Sequence, residues 1–136
     1  MAFVHGKSGY FNLDNTASTP APQDITAYCD NVDFPETIET AETTAFGATS
    51  KSYIVGLRDA TISISGKWDA TLDAVMIGTE PTSRTWIFGP AGSTGGLVKY
   101  TGECILTNYS ISTSVGDVVT WSADLQVTGN VTRTTF

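Results

Sequence analysis

From residue 60 onward the chain alternates strictly. Ala60, Ile62, Ile64 and Trp68 fall on one side, and Thr61, Ser63, Ser65 and Lys67 on the other. Successive side chains of a strand point to opposite faces, so residues 52–69 are expected to hold a half-buried strand. The same pattern is cleaner near the C-terminus, where Val119, Trp121, Ala123, Leu125 and Val127 alternate with Thr120, Ser122, Asp124, Gln126 and Thr128. Between the two the period changes. Leu72, Val75 and Met76 share one face of a helix over residues 70–77, with Asp69 at the N-cap position and Gly78 as its stop. Two turns are marginal alone, so this helix must lean on a sheet.

The other segments read less sharply. Residues 25–34 form a strand with Ile25, Ala27 and Cys29 on one parity, ended by Pro35, which cannot donate to a ladder. Residues 85–88 make a short strand followed by the turn GPAGSTGG at 89–96, and residues 97–106 and 109–113 form the next strand or strand pair, with a parity shift near Asn108 that marks a bulge. Residues 1–24 read as an N-terminal arm, loosened by Gly6 and Gly9 and broken by Pro20 and Pro22, with Tyr10, Phe11 and Leu13 available to dock on a surface. Residues 131–136 read as a C-terminal tail.

Residues 33–50 stand apart. They are acidic and Thr-rich, too poor in apolar residues to bury themselves and too long for an ordinary hairpin connection. They read as a long extended loop, or as a hairpin arm polar on both sides that finds its partners outside its own domain. Strands joined by turn-rich loops, with one short helix, predict an all-β, mainly antiparallel fold: a two-sheet sandwich or barrel with the helix at one open end. At 136 residues the chain is expected to form a single domain, 1–136.

Charge sharpens the picture of the first third. The net charge is −7, and residues 8–50 hold seven acids (Asp14, Asp24, Asp30, Asp33, Glu36, Glu39 and Glu42) with no Lys or Arg. Clustered cations, which a nucleic-acid binder uses to neutralise phosphates, are missing. Candidate chemistry is sparse. The only GKS, Gly6–Ser8, has Met1 where a phosphate loop needs its first glycine, and the single histidine, His5, lies in the arm, where nothing would hold the tautomer of a triad. Cys29 and Cys104 fit no metal spacing and read as two buried free thiols. No catalytic residue, cofactor or metal is expected, and no apolar run is long enough for a membrane span. The N-terminus lacks the apolar stretch of a secretory signal, which suggests synthesis in a reducing cytoplasm.

What remains is a building block with unsatisfied parts, and the sequence carries a resemblance of that kind. At Thr44, Phe46 and Gly47, at Ser52-Tyr53-Ile54, through Gly56-Leu57-Arg58-Asp59 to Gly66, and again at residues 121–129 (WSADLQVTG), the chain resembles the major tail tube proteins of long-tailed, siphovirus-like bacteriophages. The resemblance covers residues 25–133 and implies six copies per ring, with rings stacked into a hollow tube and inner sheets joined into one barrel. It also implies that a long loop and the terminal arms bridge rings, and that the bore carries DNA without binding it specifically. The implied partners are further copies of the chain and other tail proteins, such as tape measure, distal-tail and terminator proteins. The implied location is the virion tail, assembled in the host bacterial cytoplasm. Candidate lumen or inter-ring acids are Asp24, Asp30, Asp33, Glu36, Glu39 and Glu42, and the candidate assembly loop comprises Thr44, Phe46, Gly47 and Tyr53. Alternatives are a capsid decoration, neck or distal-tail protein, a secretion-tube subunit and, from a different class, a carbohydrate-binding β-sandwich.

Overall fold

The computed structural model describes residues 3–14, 22–77 and 83–136. Eight strands run in chain order: β1 (Tyr10–Asp14), β2 (Pro22–Asp24), β3 (Asn31–Asp33), β4 (Glu36–Glu42), β5 (Tyr53–Lys67), β6 (Arg84–Gly89), β7 (Val98–Ser112) and β8 (Thr120–Thr135). One helix, α1 (Ala70–Met76), lies between β5 and β6. Every pairing is antiparallel. The fold is therefore all-β with one short helix. Its strands follow a single hydrogen-bonded path, β2-β1-β6-β7-β8-β5-β3, with β4 added to β5, where two separate sheets were expected.

That path is rolled. Phe34, just past β3 at one end, packs on Trp86, Tyr100 and Phe88 near the other end, with ring centroids 5.2, 5.8 and 6.4 Å away. The chain between β2 and β3 closes the roll, because the Ile25 amide donates to the Phe11 carbonyl (3.2 Å) and the Trp121 indole donates to the Tyr28 carbonyl (2.9 Å). Inside lie Trp86, Trp121, Phe11, Leu13, Ile62, Ile64 and Leu125, all essentially inaccessible. The alternation of β8 is realised as read, with Trp121, Ala123, Leu125 and Val127 buried. Helix α1 fills one end with Leu72, Val75 and Met76, and Asp69 caps it by accepting from the Thr71 amide (2.7 Å).

Four expectations are corrected. Residues 10–14 are not part of a free arm, because β1 pairs with β6 and buries Phe11 and Leu13. Its neighbour β2, read as part of the same arm, pairs with β1; the breakers at 15–21, Pro20 among them, lie outside the described residues, as does Gly78. Residues 131–136 are not a tail, because β8 runs to Thr135 against β7. Gly129 (φ +76) sits at a register shift inside the ladder. Residues 25–34 are not one strand: Asp24 accepts from the Thr26 amide (2.9 Å) and starts a single 3-10 turn, Thr26–Tyr28, leaving only β3 extended. Residues 33–50 are neither an open loop nor a hairpin closed within themselves: residues 36–42 form β4, which pairs with residues 53–60 of β5. The bulge near Asn108 is present, between Leu106 and Asn108.

Candidate assembly surface

β5 is longer than the body it belongs to. Residues 61–67 lie between β8 and β3, but residues 53–60 leave the roll and pair only with β4. The separation begins at Gln126. Its side-chain amide donates to the Asp59 carboxylate (2.7 Å), the Ala60 carbonyl (3.1 Å) and the Val127 carbonyl (3.3 Å), covering acceptors that the parting strands leave open. Beyond this fork, among the described residues, no strand pairs with 53–59 of β5 on the side away from β4. None pairs with 128–135 of β8 on the side away from β7.

The result is a two-stranded ribbon in which every residue from 35 to 59 is exposed. Its tip is tied by the Thr43 amide to the Ser52 carbonyl (2.8 Å) and the Ser52 amide to Thr44 Oγ1 (2.8 Å), with Gly47 (φ +86) making the reversal. A bulge between Ile38 and Thr40 sets Glu39 against Gly56, where a Cβ would come within 3.1 Å of the Glu39 Cβ and carbonyl oxygen. Arg58 reaches Glu36 at 3.9 Å, but this pair is solvated and contributes little.

A ribbon of two strands without a third layer is barely stable in water. This one also exposes large apolar side chains on both faces. Tyr53 and Val55 share one face with Ile38, and Ile54 lies on the other; Val55 and Leu57 are each 76 % exposed, and Phe46 at the tip is wholly exposed. Each of these would contribute roughly 1.5–3 kcal/mol if fully buried, a gain that the isolated chain forgoes.

The predicted residues separate into two groups. Thr44, Phe46, Gly47, Tyr53, Glu36, Glu39 and Glu42 all lie on the ribbon, Glu42 directly across from Tyr53. Asp24, Asp30 and Asp33 belong to the body: Asp24 holds the 3-10 turn, Asp30 lies 3.5 Å from the Lys67 ammonium, and Asp33 pairs with Ser63 at the end of β3. The six acids do not form one patch. Val55, Leu57, Ile38 and the fork residue Gln126 were missed. The run Tyr53-Ile54-Val55-Gly56-Leu57, apolar on both parities in an otherwise polar arm, was the available signal.

No protein-family model matches the chain, and no curated protein matches it by sequence. Solved structures match its fold over almost the whole length. A chain from the tail of an empty gene transfer agent particle, refined with C6 symmetry, superposes with a TM-score of 0.73 at 16 % identity, covering 97 % of this chain and 99 % of that one. The SPP1 tail tube gives 0.73 at 13 % identity, covering 98 % and 80 %. A chain from the six-fold symmetrised baseplate of the anti-feeding prophage gives 0.68 at 14 %, covering 98 % and 95 %. This chain shares the fold of these tail assemblies.

Proposed function

We propose that the chain is a structural subunit of a hollow tail tube: six copies close into a ring, rings stack, and DNA passes through the bore without being specifically bound. The observation that carries this reading is the fold shared end to end with chains of six-fold tail assemblies. The fork supplies its physical reason. Among the described residues one copy offers two unpaired strand edges, one along the ribbon with its exposed apolar side chains and one along β8, and a head-to-tail contact between different surfaces closes into a ring when the rotation allows. Pairing one copy's ribbon edge with its neighbour's β8 edge satisfies both. Tyr53, Val55, Leu57 and Phe46 become buried anchors between copies, while Glu36, Glu39 and Glu42 set register as inter-copy charges. The other partners of this reading are a tape measure protein within the tube and distal-tail and terminator proteins at its ends. The location is the virion tail, with assembly in the host cytoplasm.

Electron microscopy of the concentrated protein, with and without its tail initiator, tests the reading. Stacked six-fold rings are expected. Single rings that never stack would favour a baseplate-type role, for which the similarity to a baseplate chain is the supporting observation. Discrete monomers under all conditions would overturn both.

A further inference from the structure

We infer that the fork is a built stop, with Gln126 as the residue that holds it open: it keeps the chain from closing its ribbon onto its own β8 and so reserves that edge for another copy. What the edge is reserved for rests on the tube reading; how it is kept free rests on the chain alone. The state that must be prevented follows from the register. β5 and β8 pair from Lys67↔Thr120 to Thr61↔Gln126 and stop there. One step further Ala60 would face Val127, then Asp59 would face Thr128, and the run would end with Tyr53 facing Thr134, all within strands already formed. Such closure would satisfy inside one copy the two edges that assembly needs, and a contact within one chain forms at any protein concentration. A subunit closed in this way would recruit no neighbour.

Three features stand where closure would start. The first is the Gln126 side chain. The Thr61 amide donates to the Pro35 carbonyl (3.3 Å), on the side away from β8, so by the alternation of backbone groups Ala60 turns its own towards β8. A facing pair of that kind exchanges two N–H···O bonds, which need the carbonyls of Ala60 and Val127. Those are the two carbonyls that the Gln126 amide already occupies, at 3.1 and 3.3 Å. Its third bond, to the Asp59 carboxylate (2.7 Å), ties the same amide to the departing strand. The second feature lies in β5, which advances from Arg58 to Val55 while β4 advances only from Ile38 to Thr40, one residue fewer. The third lies in β8, which advances from Thr128 to Thr132 while β7 passes only from Glu103 to Thr101, with Gly129 at φ +76 taking up the difference. In the continued register residues 55–58 would face 129–132, so the two irregularities fall opposite each other. Bulges bend and twist a strand and end its pairing, and here they do so on both sides of one gap.

Gln126→Val and, separately, Gln126→Lys test the stop. Valine suits a strand and carries no donor, whereas lysine keeps donors for the same three oxygens. Each monomer, held below the concentration at which tubes form, is followed by amide hydrogen exchange residue by residue in NMR spectra, then concentrated and scored for tubes in electron micrographs. In the Val variant, the amides of residues 53–60 that do not bond β4 are expected to exchange at least tenfold more slowly than in the unaltered chain. The concentration at which its tubes appear should rise at least tenfold. The Lys variant should match the unaltered chain in both respects. Unchanged or faster exchange in the Val variant would overturn the inference and leave the tube standing: with tubes formed normally nothing needed stopping, and with tubes lost Gln126 acts between copies. A Lys variant that behaves as the Val variant does would show that the donors are not what holds the fork, and overturns it as well. Because exchange is read on the monomer, slowed exchange alongside an unaltered chain that never forms tubes would keep the stop and remove the tube reading instead.

Discussion

Arg84 is buried to 95 %, and among the described residues its guanidinium forms no ion pair; it donates to the Val75 carbonyl (3.0 Å) and the Met76 carbonyl (2.8 Å) at the open end of α1. A helix of seven residues cannot hold itself together, and a cation on its last carbonyls offsets both their missing partners and the helix dipole. Arg84→Ala is expected to cost about 3 kcal/mol in urea denaturation, and Arg84→Lys, which cannot fork, about half of that. Gly66 is fixed for another reason: a Cβ there would collide with the Tyr28 carbonyl oxygen, where the chain crosses β5. Gly66→Ala should therefore destabilise by at least ~3 kcal/mol in the same assay. Cys29 and Cys104 have ionisations pushed from 9.0 up to about 12, chiefly by burial; the Asp30 and Asp24 charges add to the first, while Arg84 opposes the rise in the second. Tyr109 is likewise raised from 10.0 to about 12, first by burial and then by the hydrogen bond it donates to Asp73 (3.0 Å). In each case the unfolded chain loses its proton before the folded one. Stability is thus whole below pH 9 and falls as pH rises from 9 towards 12. Urea midpoints across that range should drop, and Cys29→Ala with Cys104→Ala should flatten the drop without abolishing it, because Tyr109 remains.

At the scale of elements, β5 contains two different strands end to end. Below the fork its alternation is paid back by a core on one side, which is why residues 60–67 were legible, as were β8 and α1. Above the fork β5 has only β4 beside it and, among the described residues, no core on either face, so period two carries no information about facing, and Ile54 and Val55 are exposed alike. The edge elements were misread for a related reason. β1 and β2 are only five and three residues long, and the end of β8 is a run of Thr with Gly129 in it, so neither offers a period long enough to outweigh nearby breakers. The fork escaped notice because it exists only across strands, through registers that no single stretch encodes. If the ribbon is an assembly element, it should be separable from folding. Leu57→Ser with Val55→Ser is expected to leave the monomer's urea midpoint within about 0.5 kcal/mol of the original, since both side chains are already solvated. The same pair of changes should abolish tubes in electron micrographs; tubes formed normally by this variant would show that the ribbon is dispensable.

At the scale of the molecule, a body with its own core carries an appendage without one, and the two should differ in how they respond to concentration. Local opening is easiest where few apolar contacts hold the backbone, and the ribbon has none of the core's buried residues. It also holds two trypsin sites, Lys51 at the tip and Arg58 near its base, both exposed. Free chains should therefore be cut first at Lys51 and then at Arg58, while Lys67, Lys99 and Arg133, within paired strands of the body, survive longer. Burial between copies removes the opening that cleavage needs, because binding to the closed form shifts the local equilibrium by mass action. In tubes at equal protein mass, cleavage at Lys51 should slow by at least tenfold, and protection should fade on dilution in step with the loss of tubes. Cutting the free chain at Lys51 before assembly supplies the converse: the nicked protein should keep its thermal transition, since the body is untouched, and should fail to extend tubes. Nicked chains that still polymerise would mean that the free edge of β8 alone, without an intact ribbon, is enough to recruit the next copy.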